Sequence, residues 1–204
     1  MKGLLLLSGG FDSGVAGKIM LDQKMDVDAI HFSLEPFTDD SPEKKSINLC
    51  KKLGIKKLYV VKHAKEHQEI VKKCNHKLYF VISRRLMYKT AEKVAKENKY
   101  DALIDGTNIG QVSSQTLTNL SLVRKSVKTL VISPLLCYDK QEIIDKAKEI
   151  ETYEISKGPE MCNVLGPKNP STRANENILI NEESKLTLKI ENIFEEDRCK
   201  CILL

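Results

Sequence analysis

Ser8-Gly9-Gly10-Phe11-Asp12-Ser13 puts two glycines, two hydroxyls and one acid into six consecutive positions. The glycines let backbone N–H groups turn toward a bound anion, and the serines add hydroxyl donors. The apolar run Gly3–Leu7 ahead of it reads as a buried strand, and residues 13–23 behind it as a helix. The partial positive charge of that helix's N-terminus falls at the same point. The combination is a phosphate cradle. It lacks the Gly-Lys-[Ser/Thr] ending of a Walker A loop and the G-x-G-x-x-G spacing of a dinucleotide fingerprint. Asp12 narrows the chemistry. A carboxylate inside a phosphate-binding turn repels phosphate unless a cation intervenes, so the expected ligand is a pyrophosphate carrying Mg²⁺, with Asp12 on the metal. The alternative is a plain strand-to-helix turn in which a serine or Asp12 caps the helix.

The second reactive group is a thiol. Cys162 lies in the irregular stretch 156–175, which holds three of the six prolines and two glycines. Such a loop can bring a thiol to a substrate, but no nearby base that would lower its pKa is visible in the sequence. Cys50, Cys74 and Cys137 have apolar neighbours and are expected to be packing residues. Cys199-Lys200-Cys201 has no matching second pair, so a zinc site is not expected. Six cysteines in 204 residues do not make a disulfide scaffold. With no export signal, they are read as reduced thiols in the cytoplasm. The ending Cys201-Ile202-Leu203-Leu204 fits a prenylation box formally, without support nearby.

These residues need a frame. Short apolar runs at 3–7, 28–32, 58–61, 102–104 and 130–132 alternate with amphipathic stretches at 13–23, 42–53, 65–75, 84–98, 111–124 and 140–150. Asp139 with Glu142 three residues on reads as a capping box for the last of these. Strand and helix alternating this way predict an α/β protein with a doubly wound parallel sheet and helices on both faces. Ligands bind such sheets at the carboxyl ends of the strands, so residues just after each strand are the site candidates. Residues 176–204 are polar with a weak helical period and are expected to form a terminal arm or helix beside a domain of residues 1–175.

Composition sets the bounds. The chain is 41% hydrophobic and 30% charged, too apolar for disorder and sufficient for one large core. Its net charge of +5 permits an anionic partner without demanding one. No segment reaches the roughly 18–20 apolar residues of a membrane span. The absence of Trp and a 5% aromatic content make base stacking a weak prospect.

S-G-G-x-D-S at the first strand's carboxyl end resembles the signature of the PP-loop ATP pyrophosphatases, which cleave ATP between the α and β phosphates and adenylate a carbonyl oxygen. Within them the chain resembles the ThiI family of tRNA 4-thiouridine synthetases (tRNA sulfurtransferases). The likeness rests on LLSGGFDSGVAG (6–17), RRLMYKTAEKVA (84–95), GTNIGQVSSQTLTNLSLV (106–123), SPLLCYDKQEII (133–144) and TYEISKGPEMCNV (152–164) followed by P-x-x-x-A at 170–174. It covers about residues 2–175.

The resemblance implies a set of roles. The backbone of Leu6 and Leu7 runs beside the nucleotide, Ser8, Gly9, Gly10, Phe11, Asp12 and Ser13 cradle its phosphates, and His31 and Phe32 flank adenine. Arg84 is a basic position at the nucleotide, Gly106 and Gln115 contact ATP, and Cys162 lies near the adenylated uridine. Each also has a bland reading: Phe32 as core, His31 as a satisfied buried histidine, Arg84 as a solvated helix start, Gly106 as a strand end, Gln115 as helix surface. Relatives that bind an iron–sulfur cluster place C-x-x-C where this chain has Phe80 and Ser83, so no cluster is expected there.

The implied reaction is adenylation of uridine 8 of tRNA with ATP and Mg²⁺, then sulfur transfer from a persulfide donor or free sulfide to give 4-thiouridine. The THUMP and rhodanese domains of full-length members are not seen in this sequence. A separate THUMP-type protein is therefore the expected route to tRNA, and a thiamine-related role, tied to the rhodanese part, is not legible. A homodimer is implied. The alternatives are adenylation of another carbonyl and non-catalytic ATP binding.

Overall fold

The computed structural model describes residues 1–158, 164–187 and 198–204. The chain runs β1 (Lys2–Leu6), α1 (Phe11–Asp22), β2 (Asp26–Ser33), α2 (Ser41–Leu53), β3 (Lys57–Lys62), α3 (Ala64–Lys73), α4 (Tyr79–Glu97), β4 (Ala102–Ile104), α5 (Leu117–Arg124), β5 (Leu130–Ile132), α6 (Lys140–Glu149), α7 (Tyr153–Ser156), α8 (Glu176–Glu183) and β6 (Cys199–Leu203). The sheet order is β5-β4-β1-β2-β3-β6, with β1 to β5 parallel and β6 antiparallel to β3. This is the doubly wound α/β sheet that the alternating pattern predicts.

The buried strands explain their near-continuous apolar sequences, because both faces are covered. On one face Leu4, Leu6, Ile30, Phe32, Tyr59 and Val61 pack with Ile70 of α3, Ile82 and Val94 of α4, and Leu122 of α5. On the other, Leu5, Leu7, Ala29, Leu58 and Val60 pack with Val15 of α1, Leu49 of α2 and Ile143 of α6. The strand order reverses between β1 and β4, so the crossovers leave these two strands on opposite faces and open a crevice at their carboxyl ends. No helix among the described residues is long and apolar enough to cross a membrane.

Local chemistry sets the boundaries. The Asp139–Glu142 capping box forms as expected at the start of α6. The helix expected over 84–98 begins earlier, at Tyr79, so Arg84 lies inside α4 and is partly buried. The helix expected over 111–124 is broken. A 3-10 turn at Ser113–Gln115 comes first, and Thr116, extended and accepting from the Asn119 N–H, caps the start of α5. Of the stretch 176–204, expected as a terminal arm or helix, the described residues 176–187 and 198–204 hold one helix and one strand. Asn175 caps α8, whose Leu179 is fully buried, and Cys199–Leu203 extends the main sheet. Cys137, expected to pack, is exposed in the β5–α6 connection, whereas Cys50 is buried and Cys74 half-buried.

Candidate active site

The loop from β1 to α1 is braced by its own serines. Ser13 Oγ donates to the Gly10 carbonyl (3.0 Å) and lies 3.3 Å from both the Ser8 N–H and Ser8 Oγ. The Gly10 N–H reaches Ser8 Oγ at 3.3 Å. Gly9 adopts φ +85°, and a β-carbon there would meet the Pro42 carbonyl at 3.1 Å. Gly10, at the N-cap of α1, supplies no side-chain cap, so the helix start keeps N–H groups for an anion at the crevice.

Gly106 explains how the two sides of the crevice meet. A β-carbon on it would lie 2.6 Å from the Asp12 carbonyl carbon and 2.7 Å from the Ser13 nitrogen. The turn leaving β4 thus lies flush on the first turn of α1. Backbone atoms cannot yield as a side-chain end can, so only glycine fits. Its role here is backbone against backbone, beyond the end of a strand.

Charge gathers around this junction. Asp12 Oδ1 lies 3.4 Å from Lys140 Nζ at the start of α6, with a quarter of its side chain exposed. Lys45 of α2 sits beside Gly9, 3.2 Å from the position its β-carbon would take, and its Nζ donates to the Ser156 carbonyl at 3.4 Å. Arg84 enters from the β4 side. Its Nη2 donates to Thr107 Oγ1 (2.7 Å) and reaches Tyr88 OH (3.5 Å), while Nη1 lies 3.5 Å from Ser114 Oγ. Buried Tyr88 in turn donates to Asp105. Burial, and then the Asp105 charge, push the Tyr88 phenol well above its ordinary pKa, so it stays protonated. Two buried carboxamide atoms near the Ser114 turn have no hydrogen-bond partner among the described residues: Gln115 Oε1 and Gln111 Nε2. Buried polar atoms of this kind are normally satisfied, so they mark a place where a ligand or water completes the structure.

The sequence-predicted residues therefore divide. Ser8, Gly9, Gly10, Asp12 and Ser13 form the loop, Gly106 docks on it, and Arg84 and Gln115 lie on the β4 side, Arg84 bonded to Thr107 and Ser114. Phe11 turns away to stack on Tyr153, with ring centroids 5.0 Å apart. The side chains of Leu6 and Leu7 are in the two cores, one on each face. His31 is buried, with Nδ1 2.9 Å from the Leu7 carbonyl and 3.0 Å from Ser46 Oγ. Nδ1 therefore carries the proton toward Leu7, and the ring braces the strand end that feeds the loop. Burial lowers its pKa and keeps it neutral. Phe32 packs edge-on against His63 at 5.2 Å. Cys162 lies outside the described residues. Lys45, Tyr88, Asp105, Thr107, Gln111 and Lys140 were not anticipated. Asp105 and Thr107 carried a signal, standing just after the strand expected at 102–104, and Lys140 stands within the Asp139–Glu142 capping box.

Among the described residues no three His, Cys, Asp or Glu side chains are gathered to hold a metal ion by themselves. A magnesium ion arriving on phosphates needs less, because it keeps several waters and takes only one or two carboxylates. Asp12 at the helix start fits that requirement.

The family model described as "Thiamine biosynthesis protein (ThiI)" matches residues 1–188. The "Probable tRNA sulfurtransferase" of Alkaliphilus oremlandii (strain OhILAs) is 43% identical over 194 residues, 92% of this chain and 50% of the relative. That of Caldanaerobacter subterraneus subsp. tengcongensis is 41% identical over 203 residues, 96% of this chain and 53% of the relative. The chain thus spans about half the length of these curated relatives. A solved structure described as "Crystal structure of a 4-thiouridine synthetase - RNA complex with bound ATP" superposes with TM-score 0.87 at 36% identity, over 98% of this chain and 55% of that one. The NMN synthetase of Francisella tularensis shares the fold, with TM-score 0.61 at 14% identity over 92% of this chain and 79% of that one. Sequence, strand order and the loop at the β1–β4 crevice agree: the chain belongs to the ThiI family.

Proposed function

We propose that this chain is the ATP-using unit of a tRNA uridine thiolation enzyme. It binds ATP at the β1–β4 crevice, adenylates uridine 8 of tRNA at its C4 oxygen and lets sulfur replace the AMP, giving 4-thiouridine. The observation that carries the reading is the docking of Gly106 onto the Asp12–Ser13 backbone, 2.6 Å and 2.7 Å from where a side chain would begin. It sets the turn after β4, whose Thr107 accepts from Arg84, against the open start of α1, where Lys140 approaches Asp12. Membership of the ThiI family and the ATP and RNA in the superposed 4-thiouridine synthetase support the same assignment.

The chain's groups divide the work. The N–H groups at the start of α1 and the Gly9–Gly10 turn receive phosphate oxygens. The uridine C4 oxygen forms a bond to the α-phosphorus, and the bond to pyrophosphate breaks. Lys140 and Arg84 hold the negative charge that builds on the departing pyrophosphate, as fixed cations needing little reorganisation. Magnesium bound with the nucleotide and held by Asp12 would supply further charge neutralisation. A sulfur nucleophile then attacks C4, and AMP carries away the original oxygen. With a persulfide donor, Cys162 thiolate attacks the donor-side sulfur, leaving the terminal sulfur on C4 and a disulfide that a thiol reductant resets. Free sulfide needs no such step. A THUMP region supplies the grip on tRNA, and the unit acts in the cytoplasm as a homodimer.

The test is AMP formation from ATP by the purified chain, with unmodified tRNA, a THUMP-type protein and sulfide, followed by nucleoside mass spectrometry of the RNA. RNA-dependent AMP and 4-thiouridine are expected. AMP formed only with a small-molecule acceptor would replace tRNA by another carbonyl substrate, and bound ATP without AMP would leave a non-catalytic subunit.

A further inference from the structure

The loop between β1 and α1 has two flanks, because β1 is paired with β4 on one side and β2 on the other. Gly106, after β4, covers the first flank. On the β2 side lies α2, and its Lys45 is the cation there. A β-carbon on Gly9 would stand 3.2 Å from Lys45 Cβ, so the lysine stem packs on the loop itself. The far end of the side chain meets the residues at the end of α7. Nζ donates to the Ser156 carbonyl at 3.4 Å and lies 2.9 Å from where a Gly158 β-carbon would be. Gly158 adopts φ +132°, which favours glycine, and its missing side chain leaves the space that the ammonium occupies. The helix α7 is also seated on the loop, through the stack of Tyr153 on Phe11.

The donors of this lysine are mostly unspent. An ammonium has three N–H groups and no acceptor. Lys45 uses one of them, on a long contact to a backbone carbonyl, and makes no ion pair among the described residues. Its neighbour Lys44 differs, being exposed and paired with Asp40 at 2.7 Å. Asp39 feels the Lys45 charge but accepts from the Ser41 N–H and hydroxyl instead. Lys45 is half-buried, held by its stem against a glycine loop, and keeps two donors. The Ser156 hydroxyl is a second observation at the same corner. Ser156 is 5% exposed, and its Oγ has no hydrogen-bond partner among the described residues. Buried hydroxyls are normally satisfied, so a ligand or water completes this corner.

We propose that Lys45 is a further phosphate-binding residue: its spare ammonium donors take an oxygen of the nucleotide's pyrophosphate group from the α2 flank of the loop. This rests on the nucleotide reading above and adds a residue to it. A lysine suits the place, since its flexible stem lets a point charge follow a phosphate oxygen while the loop backbone supplies fixed N–H groups. The stem packs on Gly9, in the turn that receives the pyrophosphate. ATP and free pyrophosphate therefore depend on Lys45, and AMP does not.

The measurement is calorimetric binding of ATP, inorganic pyrophosphate and AMP, each with magnesium, to the full chain as wild type and Lys45→Met. Methionine keeps the unbranched stem against Gly9 and removes the charge. Expected is a rise of about tenfold or more in Kd for ATP and pyrophosphate, the loss of a charged hydrogen bond, with Kd for AMP within about twofold. A second measurement uses the wild type alone and so does not depend on the variant folding. An amine-reactive reagent, read by peptide mass spectrometry, should label Lys45 less when pyrophosphate is present and Lys44 equally with and without it. Unchanged ATP affinity in Lys45→Met, equal weakening of ATP and AMP, or Lys45 labelling that pyrophosphate does not alter overturns the phosphate role while leaving the nucleotide reading intact. A wild-type chain that binds neither ATP nor pyrophosphate overturns both.

Discussion

Two buried polar clusters stand at the carboxyl edge of the same sheet, one on each side of the middle strands. On the β4 side Arg84, Tyr88, Asp105 and Thr107 form a chain of hydrogen bonds in which donors and acceptors meet. On the β3 side Arg198 pairs with Glu66, and His67 Nδ1 meets Tyr79 OH at 2.6 Å. There Glu66 Oε2, His67 Nε2 and both nitrogens of His63 have no hydrogen-bond partner among the described residues. Both clusters contain an arginine, an acid and a tyrosine. The first has a half-buried arginine bonded to Thr107, next to the Gly106 that docks on the start of α1. The second joins α3 to the residue before the edge strand β6, and its ion pair is buried. The same residue types thus hold an arginine beside the turn after β4 at one place and fasten the sheet edge at the other.

Breaking each cluster should have a different signature. Gly106→Ala drives a β-carbon into the backbone of Asp12 and Ser13 and should lower AMP formation by about 100-fold or more, since a displacement of about 1 Å suffices for such a loss. Steady-state kinetics on the folded variant check this. On the other side, Arg198→Ala leaves the Glu66 carboxylate buried without its cation. Removing one partner of a buried pair costs about 3–5 kcal/mol, read as a lower denaturation midpoint. ATP affinity in the same variant should stay within about threefold, because distant sites without shared partners are independent.

Acid should separate the clusters too. Burial holds the His67 pKa down from 6.5 to about 4, and burial, then the neighbouring His67 and Arg198, hold His63 well below its ordinary value. The unfolded chain takes up these protons first. Stability from this cluster is therefore complete above the unfolded histidine value and lost as pH falls from 6.5 toward 4. His67 alone corresponds to about 3 kcal/mol over that window. Urea denaturation at stepped pH checks it, and His67→Gln should flatten the slope; an unchanged slope would remove the buried imidazole as its cause.

The smallest effect concerns thiols. Burial, then the Asp28 charge, push the Cys50 thiol up to about 12, and it is fully buried, whereas Cys137 is exposed. Iodoacetamide with peptide mass spectrometry should label Cys137 and spare Cys50 in the folded chain. Cys137→Ser should change stability by less than about 0.5 kcal/mol.

Much of this was legible beforehand. The strands at 102–104 and 130–132 and the capping box at Asp139 appear where apolar runs and polar signals place them. The phosphate-loop residues were recognisable because glycine, hydroxyl and acid stand consecutively. Tyr88 was not, because nothing local distinguishes a tyrosine that donates across 17 positions from one that packs. The edge strand β6 was read as part of a terminal arm or helix because five residues of mixed polarity become a strand only against β3.

Local sequence thus determined what depends on neighbours within a few residues: the helix and strand rhythm, the turn chemistry of the loop and the sheet class. The folded chain alone decided which distant groups share the crevice: that Gly106 meets Asp12, that Lys140 approaches the same carboxylate, and that His31 braces the loop. Contacts between residues far apart in the chain depend on how helices pack over a sheet, and no local pattern of residue types encodes that placement.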